Sequence, residues 1–419
     1  MEPWRRREAF ATSATAMIGR RLFVLLGCVF VVMIGFGITL PVLPFYVERL
    51  AQAEGAVRQS IVMHVTLLTA VYPMGQLVFA PIWGRWSDRV GRRPLLLMGL
   101  AGYVVAQILF GLATSLWLLY AARVLGGVLS SATLPVSAAY VADATAEDER
   151  GRGMAWLGTA SSLGFVVGPA LGGMLARRDL HVTRYGHLQI DGFSLPFFAA
   201  AALGLLTLAA AMRWLPESLP AQALRSTSTE PDRRMLLKSL IPLLALALVA
   251  QFALAMFEAT FALHAQDVLN YGPAQVGAVF VVCGIVMAVF QAGASGALAG
   301  RVGEMTQVGA GFALMGLSLA LLMVPRGMTS VLSLVGVLAL GMALVTPNLS
   351  ALISMRGGSH RAGTALGAQN AAISLGQAIG PLVGGGLFVW QMNAPYVLTG
   401  GALIAIAGAI VWNTRAGRR

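Results

Sequence analysis

Along this chain the apolar residues fall in long unbroken blocks parted by short polar connectors, with neither the alternation of a strand nor the one-sided stripe of a soluble helix. The blocks run over 22–47, 61–83, 94–114, 116–142, 153–176 and 194–214, and again over 238–263, 274–298, 305–325, 329–353, 363–389 and 394–413. An α-helix rises about 1.5 Å per residue, so roughly 20 residues cross a hydrocarbon core of about 30 Å. Lipid offers backbone groups no hydrogen-bonding partner, so each block is predicted to close its own bonds as a helix. The expected fold class is an all-α membrane protein with twelve transmembrane helices.

The polar stretch 215–237 parts the blocks into two sets of six. It opens with Leu215-Pro216-Glu217-Ser218, and its prolines, serines and mixed charges predict an exposed linker. Three landmarks recur across it. Gly84-xxx-Asp88-Arg89-Val90-Gly91-Arg92 returns as Gly296-xxx-Gly300-Arg301-Val302-Gly303-Glu304. Leu163-Gly164-Phe165-Val166-Val167-Gly168-Pro169 returns as Leu375-Gly376-Gln377-Ala378-Ile379-Gly380-Pro381, and Pro135 as Pro347. From 84 to 296, 163 to 375 and 135 to 347 the offset is 212 each time. Two pseudo-symmetric six-helix bundles of the same orientation are therefore expected, 1–214 and 238–419, joined by 215–237.

Composition agrees with immersion in lipid: the 419 residues are 57% hydrophobic and 11% charged. A net charge of +12 would point to nucleic acid in a soluble protein, but the basic residues sit in the connectors, where they set topology, so no nucleic-acid partner is expected. With the N-terminus inside, 22 basic residues lie inside, 6 lie outside and Arg123 falls within a helix, which predicts that both termini are cytoplasmic. Arg5, Arg6, Arg7, Arg20 and Arg21 resemble the start of a signal peptide. The block 22–47 is too long for one and lacks a cleavage pattern, so it is read as a retained first helix. Cys28 and Cys283 lie inside apolar blocks as small buried hydrophobes, and no metal site or cofactor is expected.

The connector Gly84-Arg85-Trp86-Ser87-Asp88-Arg89-Val90-Gly91-Arg92-Arg93 combines glycines that permit a tight turn with charges suited to helix ends. Asp88 is placed to meet a helix N-terminus, and Arg89 and Arg92 to meet carboxylates at facing helix ends. The connector resembles the signature between the second and third helices of the major facilitator superfamily of secondary transporters, and the resemblance extends over essentially the whole chain. It implies that Gly84, Asp88, Arg89, Gly91 and Arg92 latch the halves in an outward-facing state, with Asp143 as the acidic partner. A role in topology alone is the alternative. In the second half Gly300 replaces the aspartate and Glu304 an arginine, which predicts a weaker latch. Gly164, Gly168 and Gly172 stand at i, i+4 and i+8 and lay a smooth strip for another backbone. With Pro169 and Gly173 they form Gly-Pro-Ala-Leu-Gly-Gly over 168–173, similar to the antiporter signature of the family's proton-driven exporters, which implies efflux. The echo at Gly380-Pro381-Leu382-Val383-Gly384-Gly385 favours a packing component common to both halves.

Two ionisable residues lie within apolar blocks and are functional candidates on that ground. Arg123 resembles the family's fourth-helix arginine, which implies a part in proton transfer. Being permanently charged, it would act through a nearby carboxyl. Snorkelling to the outer interface is the alternative. Glu258, in the outer half of the seventh block, could exchange a proton and attract a cationic substrate. The alternative is an acid solvated near the helix exit, beside His264 and Asp267. Gln107, Gln251, Gln291, Asn348, Gln369, Asn370 and Gln377 are the remaining candidates to line a substrate cavity, although such residues more often bond between helices. The segment Gly35-Phe36-Gly37-Ile38-Thr39-Leu40-Pro41-Val42-Leu43-Pro44 resembles the drug-exporter branch. Val32 stands where tetracycline exporters commonly carry an aspartate.

The chain has no HExxH, no GxxxxGK[ST], no cysteine–histidine cluster and no GxSxG with partners in an extramembrane domain. An enzyme and an ATP-driven pump are excluded on this reading, so an ion gradient must supply the energy. The expected protein is a monomeric exporter of small amphipathic compounds in a bacterial inner membrane, coupled to protons and working by alternating access. The alternatives are a sugar or metabolite permease of the same fold and, from another class, a transporter-like ligand sensor.

Overall fold

The computed structural model describes residues 3–145, 149–176, 183–185, 188–190, 192–218, 231–297, 302–324, 327–357 and 362–416. The expectations for linker residues 219–230, and for Gly300 and Arg301, lie outside the described residues. Among those described, twelve spans are long and apolar enough to cross a membrane. The first six are built from α1 (Pro3–Ala53), α2 (Arg58–Val90), α3 (Arg92–Gly111), α4 (Leu116–Leu129) with α5 (Thr133–Ala144), α6 (Arg150–Leu175) and α7 (Leu195–Trp214). The second six are α8 (Pro231–Leu269), α9 (Pro273–Ala297), α10 (Glu304–Leu321), α11 (Met328–Gly357), α12 (Ala362–Trp390) and α13 (Ala394–Ala416).

Two local expectations need correction, and one connector adds a feature. The helix α2 continues to Val90, so Gly84 is helical and makes no turn; an added Cβ there meets nothing within 4 Å. The fourth span is not one continuous helix. A 3-10 turn over Ser130–Ala132 divides α4 from α5. Pro135 lies just beyond it, lacks an N–H, and its ring would crowd the carbonyl four residues back, at Ser131. Finally, the connector between α6 and α7 carries a small antiparallel hairpin, β1 (Thr183–Tyr185) with β2 (Leu188–Ile190), in which Thr183 pairs with Ile190. The hairpin lies outside the spans, so the all-α class with twelve spans stands.

The buried apolar side chains form two clusters, one drawn mostly from α1–α7 and the other mostly from α8–α13. Lipid is as apolar as leucine, so close packing rather than water exclusion must hold helices together. The glycine strip supplies that closeness. A Cβ at Gly164 would lie 2.5 Å from the Phe30 carbonyl oxygen, at Gly168 2.6 Å from that of Ile34, and at Gly172 2.9 Å from that of Ile38. This seats α6 on α1. In the other half a Cβ at Gly376 or Gly380 would meet the carbonyls of Leu248 or Phe252, at 2.5 and 2.6 Å, which seats α12 on α8.

The two halves meet along α6 with α9 and along α2 with α12. The next glycine of each strip makes the crossing. Gly173 backs onto Pro273 and Gly277 of α9, and Gly385 onto Thr66 of α2. Gly173 and Gly385 are themselves 212 residues apart, so the repeat seen in the sequence governs packing within each half and between halves.

Candidate transport site

Arg123 projects from α4 into the first bundle and is only 4% exposed. Its Nε donates to the Leu68 carbonyl at 2.9 Å and its Nη1 to Thr39 Oγ1 at 3.3 Å. The guanidinium carbon lies 5.1 Å from the Tyr72 ring centroid and 5.9 Å from that of Phe110. Those cation–π contacts offset part of the penalty of burying a charge. The side chain therefore turns inward and does not snorkel. Thr39 Oγ1 in turn donates to the Gly35 carbonyl at 3.0 Å, which directs its lone pairs at Arg123. Sequence reasoning passed over Thr39. The available signal was a hydroxyl in an otherwise apolar first helix, four residues after a glycine.

Glu258 on α8 is 6% exposed and so is not an acid solvated at a helix exit. It lines a cavity of about 10 Å³ together with Thr39, Pro44, Thr69 and Arg123. An acid from the second half and a cation from the first thus face one small space between the bundles. Among the described residues neither one has an ion-pair partner.

The polar candidates divide. Gln107 lines a second cavity that also contains Arg123 and Thr39, inside the first bundle. Gln251 and Gln369 share a separate cavity within the second bundle, where Gln369 Nε2 donates to Ser350 Oγ at 2.9 Å. Asn348 is a packing group: its Nδ2 donates to Gln307 Oε1 at 3.1 Å and to the Leu344 carbonyl at 2.8 Å. Half-buried Gln291 and Gln377 and exposed Asn370 lie outside these three cavities.

At the α2–α3 corner Arg92 gathers the charges. Its Nη1 donates to Asp88 Oδ1 at 2.5 Å and to Ser87 Oγ at 2.6 Å, and its Nε to Asp143 Oδ2 at 2.9 Å. Arg89 is exposed and has no described bond. The acid at the N-terminus of α3 is Glu217 and not Asp88: its carboxylate accepts from Arg92 N at 2.7 Å and Arg93 N at 3.1 Å. A carboxylate there satisfies orphan amides and complements the helix dipole. Gly91, at φ 108°, is a position that needs glycine, since a Cβ would also come within 2.5 Å of Glu217 Oε2. Tyr140 adds a bond from its hydroxyl to the Pro216 carbonyl at 3.0 Å. The start of the linker is therefore fastened to the corner while Glu217 stays exposed, as the sequence had suggested. Its signal was an acid placed on the same side as the arginine-rich connector.

At the end away from the linker, Arg58 bridges the halves. It contacts Glu48 at 3.2 Å and, across the seam, Asp267 at 2.5 Å. Gln266 donates to Glu48, also across the seam.

The family model described as Major Facilitator Superfamily matches residues 25–381. The chain is 28% identical over 406 residues to "Multidrug resistance protein 2" of Bacillus subtilis (strain 168), covering 94% of this chain and 95% of that protein. It is 30% identical over 387 residues to "Tetracycline resistance protein, class G" of Vibrio anguillarum, covering 90% and 91%. Among solved structures, a bacterial homolog of the human lysosomal transporter Spinster, crystallised inward-facing and unoccupied, superposes with a TM-score of 0.76 at 13% identity, covering 94% of this chain and 96% of that one.

Proposed function

Because the chain belongs to the major facilitator superfamily, and is thus a multi-pass membrane transporter, we propose that it exports small amphipathic drugs across a bacterial inner membrane in exchange for protons. The halves 1–214 and 238–419 rock about the central seam, with both termini in the cytoplasm and the single chain as the working unit. The names of the relatives, multidrug and tetracycline resistance proteins, support the substrate class.

One observation carries the coupling: Glu258 and Arg123 belong to different halves yet line one cavity. In a low-dielectric space, the energy of an ionised Glu258 depends steeply on its distance from the Arg123 guanidinium. Rocking alters that distance, and so alters the affinity of Glu258 for a proton. Glu258 takes a proton while the site is open to the outside and releases it while the site is open to the inside, and drug moves the opposite way. The described state is sealed at the outer end, where Arg58 ties Glu48 to Asp267 and Gly173 and Gly385 close the seams. The corner around Arg92 acts at the cytoplasmic end as a prefolded unit, held together by Asp143 and Glu217.

The test uses purified full-length protein in liposomes with a pH gradient and an internal pH dye. Addition of rhodamine 123 or ethidium should move protons in proportion to drug moved. If drug accumulates with no proton movement, the exchange reading fails.

A further inference from the structure

Arg123 presents a feature that proton exchange does not use. Its two hydrogen-bond acceptors, the Leu68 carbonyl and Thr39 Oγ1, are both neutral, and no described carboxylate pairs with it. It also lines two cavities at once. The first, about 20 Å³, lies wholly within the first bundle and is bounded by Phe36, Tyr72, Tyr103, Gln107 and Phe110. A void of that size holds one water-sized group. A buried guanidinium, a glutamine amide and aromatic walls together make a receptor for an oxyanion on an aromatic body.

Resting on the export reading, we propose that this chamber is an acid-binding subsite: Arg123 takes the carboxylate of a substrate whose cationic end faces Glu258 across the seam. The substrates favoured are then zwitterionic aromatic amphiphiles over purely cationic ones. In the described state the chamber offers a void of about 20 Å³. The carboxylate enters as the halves separate, because the chamber and the seam cavity share Thr39 and Arg123.

The test is equilibrium binding to the full chain in lipid nanodiscs, read by fluorescence polarisation, with rhodamine 110 and its methyl ester rhodamine 123. The two dyes share a cationic ring system and differ in one carboxylate. Wild type should bind the acid about tenfold more tightly than the ester, the equivalent of roughly 1.4 kcal/mol. Arg123→Gln should bring the ratio near one, and Arg123→Lys should keep an intermediate preference. Equal affinities in wild type, or a full preference surviving in Arg123→Gln, would overturn the subsite. The wild-type ratio decides even if a variant fails to fold. Binding needs no gradient, so an acid preference without dye-driven proton movement would keep the subsite and remove the export reading, while proton movement with equal affinities would do the reverse.

Discussion

The two halves share a backbone plan and divide the chemistry between them. At the repeat offset of 212, Arg123 corresponds to Val335 and Glu258 to Tyr46. Val335 is fully buried in an apolar cluster, and the Tyr46 hydroxyl reaches the Phe110 and Ala113 carbonyls at 2.8 and 2.9 Å. Each half thus keeps one charge where its counterpart keeps a packing group. The corners differ in the same manner. In the first half Arg92 binds Asp88, Asp143 and Ser87. In the second, Glu304 opens α10, and the Gln307 amide closes onto the Val302 carbonyl at 2.8 Å. On the proposed mechanism, duplicated glycines make the rocking body and a few divergent side chains make it responsive to charge.

The sharpest way to break this division is to neutralise its acid. Glu258→Gln keeps shape and removes titration, and drug-evoked proton movement in liposomes should fall below detection. Undiminished coupling in that variant would take Glu258 out of the mechanism. The next largest effect tests the shared plan. Gly168→Leu and Gly380→Leu each drive a side chain into a carbonyl 2.6 Å from the Cβ position. Each should cost about 1–3 kcal/mol or more of stability, read as a lower unfolding temperature in detergent. If the two variants lose stability equally but only Gly168→Leu loses coupling, the first-half strip does more than pack.

How much of this was legible in sequence follows from the solvent. Apolar blocks report membrane helices because lipid leaves the backbone no other structure, and the 212-residue offset reports the repeat because glycine spacing is a local property. That Glu258 works with help from Arg123 was an expectation, but the cavity they share was not legible: nothing local says that α4 and α8 face one space. Glu217 is exposed, as read, and is also docked: proline, glutamate and serine after an apolar block describe a linker equally well docked or free. Gly84 was over-read as a turn for the converse reason, while the role that the resemblance implies for Arg89 belongs to the outward-facing state. A signature names positions, and only packing tells which of them bond.

Docking of the linker yields a smaller and more local prediction. In Glu217→Ala the amides of Arg92 and Arg93 lose their acceptors at the start of α3. Their hydrogen exchange should speed up by about tenfold, matching loss of a charge-assisted cap of roughly 1.5 kcal/mol, while amides deep in α3 stay protected. Val302 and Gly303, at the equivalent corner of the second half, should not change. Exchange unaltered at 92 and 93 would mean that the carboxylate does not cap the helix in lipid.

The smallest effect concerns the clasp at the end away from the linker, which is one-sided as well. Arg58 corresponds at the same offset to Asn270, a turn residue at φ 56°, so the second half offers no matching cation. The Arg58 side chain is 35% exposed, and an ion pair that wet contributes only about 0–1 kcal/mol. Arg58→Ala should therefore shift the balance between outward-closed and outward-open states by no more than about fivefold. Spin labels on exposed Val57 and Val268 would report it as growth of a longer-distance population, and high salt should reproduce the change in wild type. A distance distribution indifferent to both would leave closure to the seams at Gly173 and Gly385. The repeat would then account for sealing at that end without help from the divergent charges.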